Sequence, residues 1–189
     1  MASVPSTDAV AAERERLQYR RKFRRTLRST VYALIVVAAV AILAATMFLP
    51  VLQVSGSSME PTLSDGDVIV LFKSGSFETG DLAGFYYQNK LLLKRVIAGP
   101  SDTVDIDEEG NVYVNDELID EPYLAEKALG KTDLDYPIQV PEGRYFVMGD
   151  NRTTSIDSRS SAIGYIEADQ IVGKVILRIW PASRISILT

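Results

Sequence analysis

From Ser29 through Met59 the chain carries no charged residue, and the stretch from Val31 to Val54 is dominated by Val, Ala, Ile and Leu. At helical rise this is long enough to cross a bilayer, so one spanning helix is expected. Arg14, Arg16, Arg20, Arg21, Lys22, Arg24, Arg25 and Arg28 precede it, against Asp8, Glu13 and Glu15. The positive-inside rule then places the N-terminus in the cytoplasm and everything after Val54 outside, with the basic cluster holding that orientation against anionic lipid. A cleavable secretory leader is the competing reading. Ala44-Ala45-Thr46 supplies small residues for it, but the run is too long for the usual apolar core and no clear small-x-small site sits at its end. The expected organisation is a basic cytoplasmic tail over 1–28, an anchor over 29–54 and an external domain over 55–189. Residues 1 to about 19, small, polar and charged with little periodicity, read as disordered, turning helical near the membrane.

The external domain has about 130 residues, enough to bury a core without crosslinks. The chain has no Cys and no His, which excludes thiolate catalysis and disulfides and leaves a zinc site without its usual ligands; no metal or cofactor is expected. Of 20 basic and 25 acidic residues, only the basic ones concentrate before the span. The external domain is therefore acidic, and nucleic acid is not an expected partner.

Strand signals dominate after the span. Val68 to Phe72, Leu82 to Tyr87, Leu91 to Ala98, Thr103 to Ile106, Asn111 to Val114, Arg144 to Met148 and Ile171 to Trp180 are rich in β-branched and aromatic residues. Ser64–Asp67, Glu78–Asp81, Gly99–Asp102 and Glu108–Asn111 carry the Asp, Asn, Gly or Pro chemistry that reverses a strand. The predicted fold is mostly β: a curved, barrel-like antiparallel sheet preceded by one transmembrane helix. Residues from about 102 to 142, a short hairpin followed by an acidic, Pro-containing connection, read as a small inserted β-hairpin subdomain and chiefly a surface elaboration. Phe72, Phe77, Phe85 and Tyr86 are candidates for lipid contact beside a cleft, with several of them expected in the core.

Three segments carry chemistry. Ser58, between the flexible Ser55-Gly56-Ser57 and Met59-Glu60-Pro61, is placed to expose a hydroxyl at a turn; Ser57 with Glu60 three residues later equally fits a helix-capping box. Without histidine, a nucleophilic serine needs another base, and a lysine kept neutral by apolar surroundings is the leading candidate among those that remain. Lys94 lies in Leu91-Leu92-Leu93-Lys94-Arg95-Val96-Ile97, where alternation gives it Leu92 and Val96 on its own face. An ordinary lysine titrates near 10.4, and bringing it into the neutral range costs the ammonium form about 3 to 4 kcal/mol, which desolvation can supply. The alternative for Lys94-Arg95 is an exposed basic pair on a strand edge. The third segment, Gly149 through Arg159, is a dense polar loop following a strand; it is either a solvated turn or support for a site.

Together, and in this order, Ser55–Leu63, Gly66–Val70, Lys94–Ile97, Gly149–Arg159, Gly173-Lys174-Val175 and Trp180-Pro181 resemble bacterial type I signal peptidases, and specifically their single-anchor branch. The resemblance implies a membrane-bound serine endopeptidase with a Ser/Lys dyad that removes signal peptides from exported preproteins, working near lipid and the secretion translocon. It implies Ser58 as nucleophile, Lys94 as general base, and Ser155 as a hydroxyl that bonds and orients the lysine amine. Asp157 and Arg159 resemble the supporting ion pair, and Met59 a residue packed beside the substrate pocket. Arg95, Asp150 and Arg152 are assigned to structure or positioning. Two departures stand out. Gly56 occupies a position where some members carry an oxyanion-binding serine, and Ser160-Ser161-Ala162 replaces an expected aromatic and glycine. The alternatives are a relative of the self-cleaving repressors that use the same dyad, and a non-catalytic, membrane-tethered β module that binds polypeptides.

Overall fold

The computed structural model describes residues 7–188. It divides into two compact units, one ending at Met47 and the other beginning at Phe48.

A single helix, α1 (Thr7–Phe48), forms the described part of the first unit and ends one residue beyond it. Neither Gly nor Pro occurs between Asp8 and Leu49, and Ala, Leu, Glu and Arg fill the polar half, so helix propensity is uninterrupted. The disorder expected for residues 1–19 is therefore corrected from Thr7 onward; residues 1–6 lie outside the described residues. The portion Glu13–Phe48 is long and apolar enough to cross a membrane, and its large apolar side chains are exposed. Arg28, at the charged boundary of the apolar run, donates from Nη2 to the Tyr32 hydroxyl at 3.1 Å.

The expected anchor boundary at residue 54 is also corrected. Pro50 ends the helix because the residue before a proline is driven out of the α region, and the ring would clash with a carbonyl one turn back. The chain instead enters β1 (Val51–Gln53), which pairs antiparallel with β2 (Val68–Phe72). The other strands are β3 (Leu82–Tyr87), β4 (Lys90–Ala98), β5 (Thr103–Ile106), β6 (Val112–Val114), β7 (Glu117–Leu118), β8 (Ile138–Gln139), β9 (Arg144–Met148), β10 (Ile166–Glu167), β11 (Ile171–Trp180) and β12 (Ser186–Ile187). Eight strands form one antiparallel sheet in the order β1-β2-β11-β3-β4-β9-β10, with β12 on β11. Register shifts along β11 and between Val96 and Ala98 of β4 bend it, as bulges do. Gly173 and Gly84 face each other across β11 and β3; a Cβ on Gly173 would lie 2.5 Å from the Phe72 carbonyl, so the sheet closes up only with glycine there.

The inserted region is more than a hairpin. It makes a second sheet in the order β7-β6-β5-β8. Val104, Ile106 and Val112 from it share one core with Ile97 and Ala98 of β4 and Phe146 and Met148 of β9. The expectation of a surface elaboration is overturned by this shared apolar interior, whose burial is the main driving force joining the sheets. Two further clusters lie on the main sheet, one around Met59, Leu63, Ile69 and Leu71, the other around Phe85, Val96, Tyr145 and Val147. Phe77 and Phe85 belong to the core, while Phe72 and Tyr86 are exposed.

Phe146 is fully buried in the shared core. Phe146→Ala is expected to destabilise the domain by about 3–5 kcal/mol. Denaturant unfolding followed by two probes, one in each sheet, should still give a single transition.

Candidate active site

Lys94 stands in β4, which is hydrogen-bonded to β3 on one side and β9 on the other, so its backbone is held rigidly in the middle of the sheet. Its side chain is 4% exposed. The base of the loop after β1 is closed by backbone hydrogen bonds from Val54 N to Asp67 O at 2.8 Å and from Gly66 N to Val54 O at 3.0 Å. Ser57–Leu63 then folds into successive turns, closed by Glu60 N to Ser57 O at 3.2 Å and Leu63 N to Met59 O at 2.9 Å. Met59 and Leu63 plug these turns into the core, which leaves Ser58 facing the lysine.

The Ser58 Oγ and Lys94 Nζ are 2.8 Å apart. That distance serves either direction of the proton: an ammonium donates to the hydroxyl, and a neutral amine accepts from it. Burial pushes the Lys94 amine below the ordinary lysine value of 10.5; the Asp157 carboxylate opposes this, the Arg159 guanidinium adds to it, and Asp150 opposes it more weakly. Desolvation wins because the neighbouring charges come as cation–anion pairs whose fields largely cancel.

The register of β4 against β9 puts Arg95 opposite Met148. The loop that leaves β9 at Gly149 is thus delivered directly beside the dyad. Asp150 meets Arg95 in a fork, Nε to Oδ1 at 2.8 Å and Nη2 to Oδ2 at 2.6 Å, and accepts from Thr62 Oγ1 at 2.5 Å. The three chemical segments are tied together at that point: Thr62 belongs to the serine turn, Arg95 to the lysine strand and Asp150 to the loop. Asn151 N also donates to the Ser58 carbonyl at 3.0 Å.

Asp157 and Arg159 pair, Nε to Oδ1 and Nη2 to Oδ2 both at 2.9 Å, with neither side chain exposed. Burial alone would raise the Asp157 carboxyl, but the Arg159 guanidinium and the Gly149 N–H outweigh it and hold it below the ordinary value; the nearby Ser155 hydroxyl acts in the same direction without reaching hydrogen-bonding geometry. The expected bond between Ser155 and Lys94 is not formed: the Ser155 Oγ is buried without a hydrogen-bond partner. The reason lies in the loop. Ser155 N donates to Asn151 O at 3.0 Å, and its side chain is packed against Gly149, where an added Cβ would also lie 2.6 Å from the Ser58 carbonyl. Only glycine at 149 lets these pieces close around one another.

Gly56 has a φ of +91°, a left-handed conformation that disfavours a side chain. Its N–H is engaged by Asp65 Oδ1 at 2.8 Å, which leaves it unable to serve a second acceptor well. A cleft opens beside the dyad, lined by Val54, Met59, Ile69, Gly84, Leu91 and Leu93, with Ser58 and Lys94 in its wall. Met59 is therefore both a core plug and a cleft residue.

Two residues escaped the sequence reading. Glu121 pairs with Arg152, both side chains buried, and the Arg95 guanidinium lies 3.7 Å from the centre of the Tyr123 ring. The only signal was a Pro and a Tyr embedded in an otherwise acidic connection. At the Ser160-Ser161-Ala162 departure, Ser161 N donates to Asp133 Oδ1 at 2.7 Å.

A profile of the family described as "Signal peptidase, peptidase S26" matches residues 27–180. The chain is 37% identical over 156 residues to a signal peptidase I of Bacillus licheniformis, covering 76% of this chain and 83% of that one. It is 39% identical over 150 residues to signal peptidase IB of Staphylococcus aureus, covering 69% and 77% respectively. A signal peptidase I crystal structure from Enterococcus faecalis aligns over 52% of this chain and 96% of that one, at 27% identity and a TM-score of 0.46. The breadth of the profile match, and identities above one third across most of both chains, establish that this chain belongs to the signal peptidase family, peptidase S26.

Proposed function

We propose that the chain cleaves signal peptides from exported preproteins with Ser58 as nucleophile and Lys94 as general base. The observation that carries this is the 2.8 Å approach of a buried lysine amine to the serine oxygen. A neutral Lys94 takes the Ser58 proton as Oγ attacks the scissile carbonyl, and the ammonium so formed protonates the departing amine. Water then enters, loses its proton to the same amine and releases the acyl half. The Ser58 N–H faces the developing oxyanion, while Asp157 and Arg159 fix the loop behind the lysine.

The substrate binds extended along the cleft between residues 52–56 and β4, pairing its backbone with the flanking chain. The apolar walls formed by Val54, Met59, Ile69 and Leu93 accept small side chains at the first and third positions before the cut. The apolar helix Glu13–Phe48 anchors the chain once through the membrane with its basic end cytoplasmic, so that preproteins leaving a translocon meet the site at the lipid surface. The repressor-like and non-catalytic readings are disfavoured by the family membership.

Four outcomes test this reading. On a presecretory substrate with an Ala-x-Ala cut, mapped by mass, Ser58→Ala and Lys94→Ala should each lower turnover by on the order of 10⁶-fold, and the double variant should be no worse than either, because the two groups act as one unit. Normal processing by a single variant sinks the dyad. Because burial lowers the Lys94 value, kcat/KM should rise with pH along an acid limb whose midpoint lies below 10.5; a limb at the ordinary lysine value contradicts a desolvated base. The same shift sets stability: the penalty of a buried ammonium is greatest below the folded value and fades as pH climbs through it toward 10.5. Lys94→Met, although inactive, should therefore gain stability relative to the parent at acidic pH, read from paired melting curves. Finally, Gly56→Ser should not add an oxyanion donor but should destabilise by about 1–2 kcal/mol through left-handed strain; faster turnover with unchanged melting would count against the geometry at that turn.

A further inference from the structure

The chain between β7 and β8 has almost no regular structure, yet it touches every arginine behind the dyad. Tyr123 lies under the Arg95 guanidinium at 3.7 Å and donates its hydroxyl to Glu121 Oε1 at 2.9 Å. Glu121 accepts from both terminal nitrogens of Arg152, with Nη1 to Oε2 at 3.3 Å. The Leu129 carbonyl accepts from Arg159 Nη1 at 2.7 Å, Thr132 Oγ1 donates to the Arg159 carbonyl at 2.9 Å, and Asp133 holds Ser161. Each of these arginines uses its other side on the site itself: Arg95 on Asp150, Arg152 on the Gly149 carbonyl with Nε at 3.1 Å, and Arg159 on Asp157.

We propose that residues 121–133 are a positioning strap for the Ser58–Lys94 site, and that Glu121 is its main positioning residue, acting through Arg152 on Gly149. This rests on the dyad reading above. Gly149 is the point of leverage: its carbonyl receives Arg152, its N–H holds Asp157 at 2.9 Å, and its α-carbon is closely packed against Ser155 and the Ser58 carbonyl. A change at Glu121 reaches the lysine by shifting this loop, without contact between Glu121 and substrate. The charged groups acting on Lys94 are Asp157, Arg159 and Asp150 of the loop, with Arg95 next to it on β4. Those facing Glu121 are Arg152 and Tyr123, with Arg95 beyond the tyrosine ring.

Loosening the loop admits water to the amine and moves its proton affinity back toward that of an ordinary lysine. The test uses the full chain in lipid vesicles with a presecretory substrate, comparing Glu121→Gln, Glu121→Asp, Tyr123→Phe and Gly130→Ala. The last keeps every charge but places a methyl against the Arg152 carbonyl and the Arg159 guanidinium. Glu121→Gln and Gly130→Ala are expected to lower kcat at neutral pH by up to about 100-fold with KM unchanged. Their acid limb should move to higher pH, so that the deficit shrinks as pH rises. Tyr123→Phe should shift the limb in the same direction by less, and Glu121→Asp, which restores the charge, should recover part of the rate. Folded variants that melt earlier but keep the parental kcat and acid limb would overturn the proposal, as would a rise in KM alone. If Glu121→Gln does not fold, Gly130→Ala and Tyr123→Phe decide the matter by the same two readouts. Inert Lys94→Ala alongside a parental limb in the strap variants removes only this inference; active Lys94→Ala removes the dyad and the strap together.

Discussion

A lysine side chain held away from water, against a serine hydroxyl, is the condition on which the rest of the domain depends. An ammonium group loses its hydration when buried, and that loss favours the neutral amine. The effect needs walls that do not themselves supply a compensating negative charge. Lys94 has them: strands on both sides of β4, apolar neighbours along the cleft, and acids that are already matched to arginines. An unmatched carboxylate at the position of Asp157 would restore the charged amine and abolish the base.

This explains why so many buried ions surround a site that needs a neutral group. Asp150–Arg95, Asp157–Arg159 and Glu121–Arg152 are three nearly inaccessible pairs. Buried pairs are weak sources of stability, since desolvation offsets much of their attraction, but they break at a cost of about 3–5 kcal/mol when one partner is removed. Their use here is geometric. Forked guanidinium–carboxylate contacts fix direction as well as distance, and together they lock the serine turn, the lysine strand and the loop into one arrangement while adding almost no net charge. The connection between β7 and β8 takes part through Glu121, whose carboxylate is held by Arg152 and the Tyr123 hydroxyl.

Much of this was legible from residue order. The uninterrupted helix, the strands from Val68 onward and the turns between them follow from local chemistry: alternation, β-branching, and Gly or Asp at reversals. Where local readings failed, the cause was a partner far along the chain. β1 is three residues long and forms because β2 offers it an edge; the anchor prediction ran through it because Val51, Leu52 and Val54 look alike in lipid and in a sheet. Glu121 was not singled out within the acidic connection because nothing nearby in sequence shows that Arg152 lies against it.

What the sequence alone determined was the inventory: one apolar span with a basic flank, an acidic β domain, no imidazole or thiol, and a serine and lysine in ordered motifs. Those facts removed imidazole and thiolate chemistry, since reactive groups are set by composition, and the ordered motifs pointed to a Ser/Lys pair through their resemblance to a family. Only the tertiary structure decided that the amine reaches the hydroxyl, that Ser155 stops short of it, and that the inserted region contacts Arg95, Arg152 and Arg159. These are matters of long-range contact and burial, and the energy of a charge depends on what surrounds it in space rather than on what adjoins it along the chain.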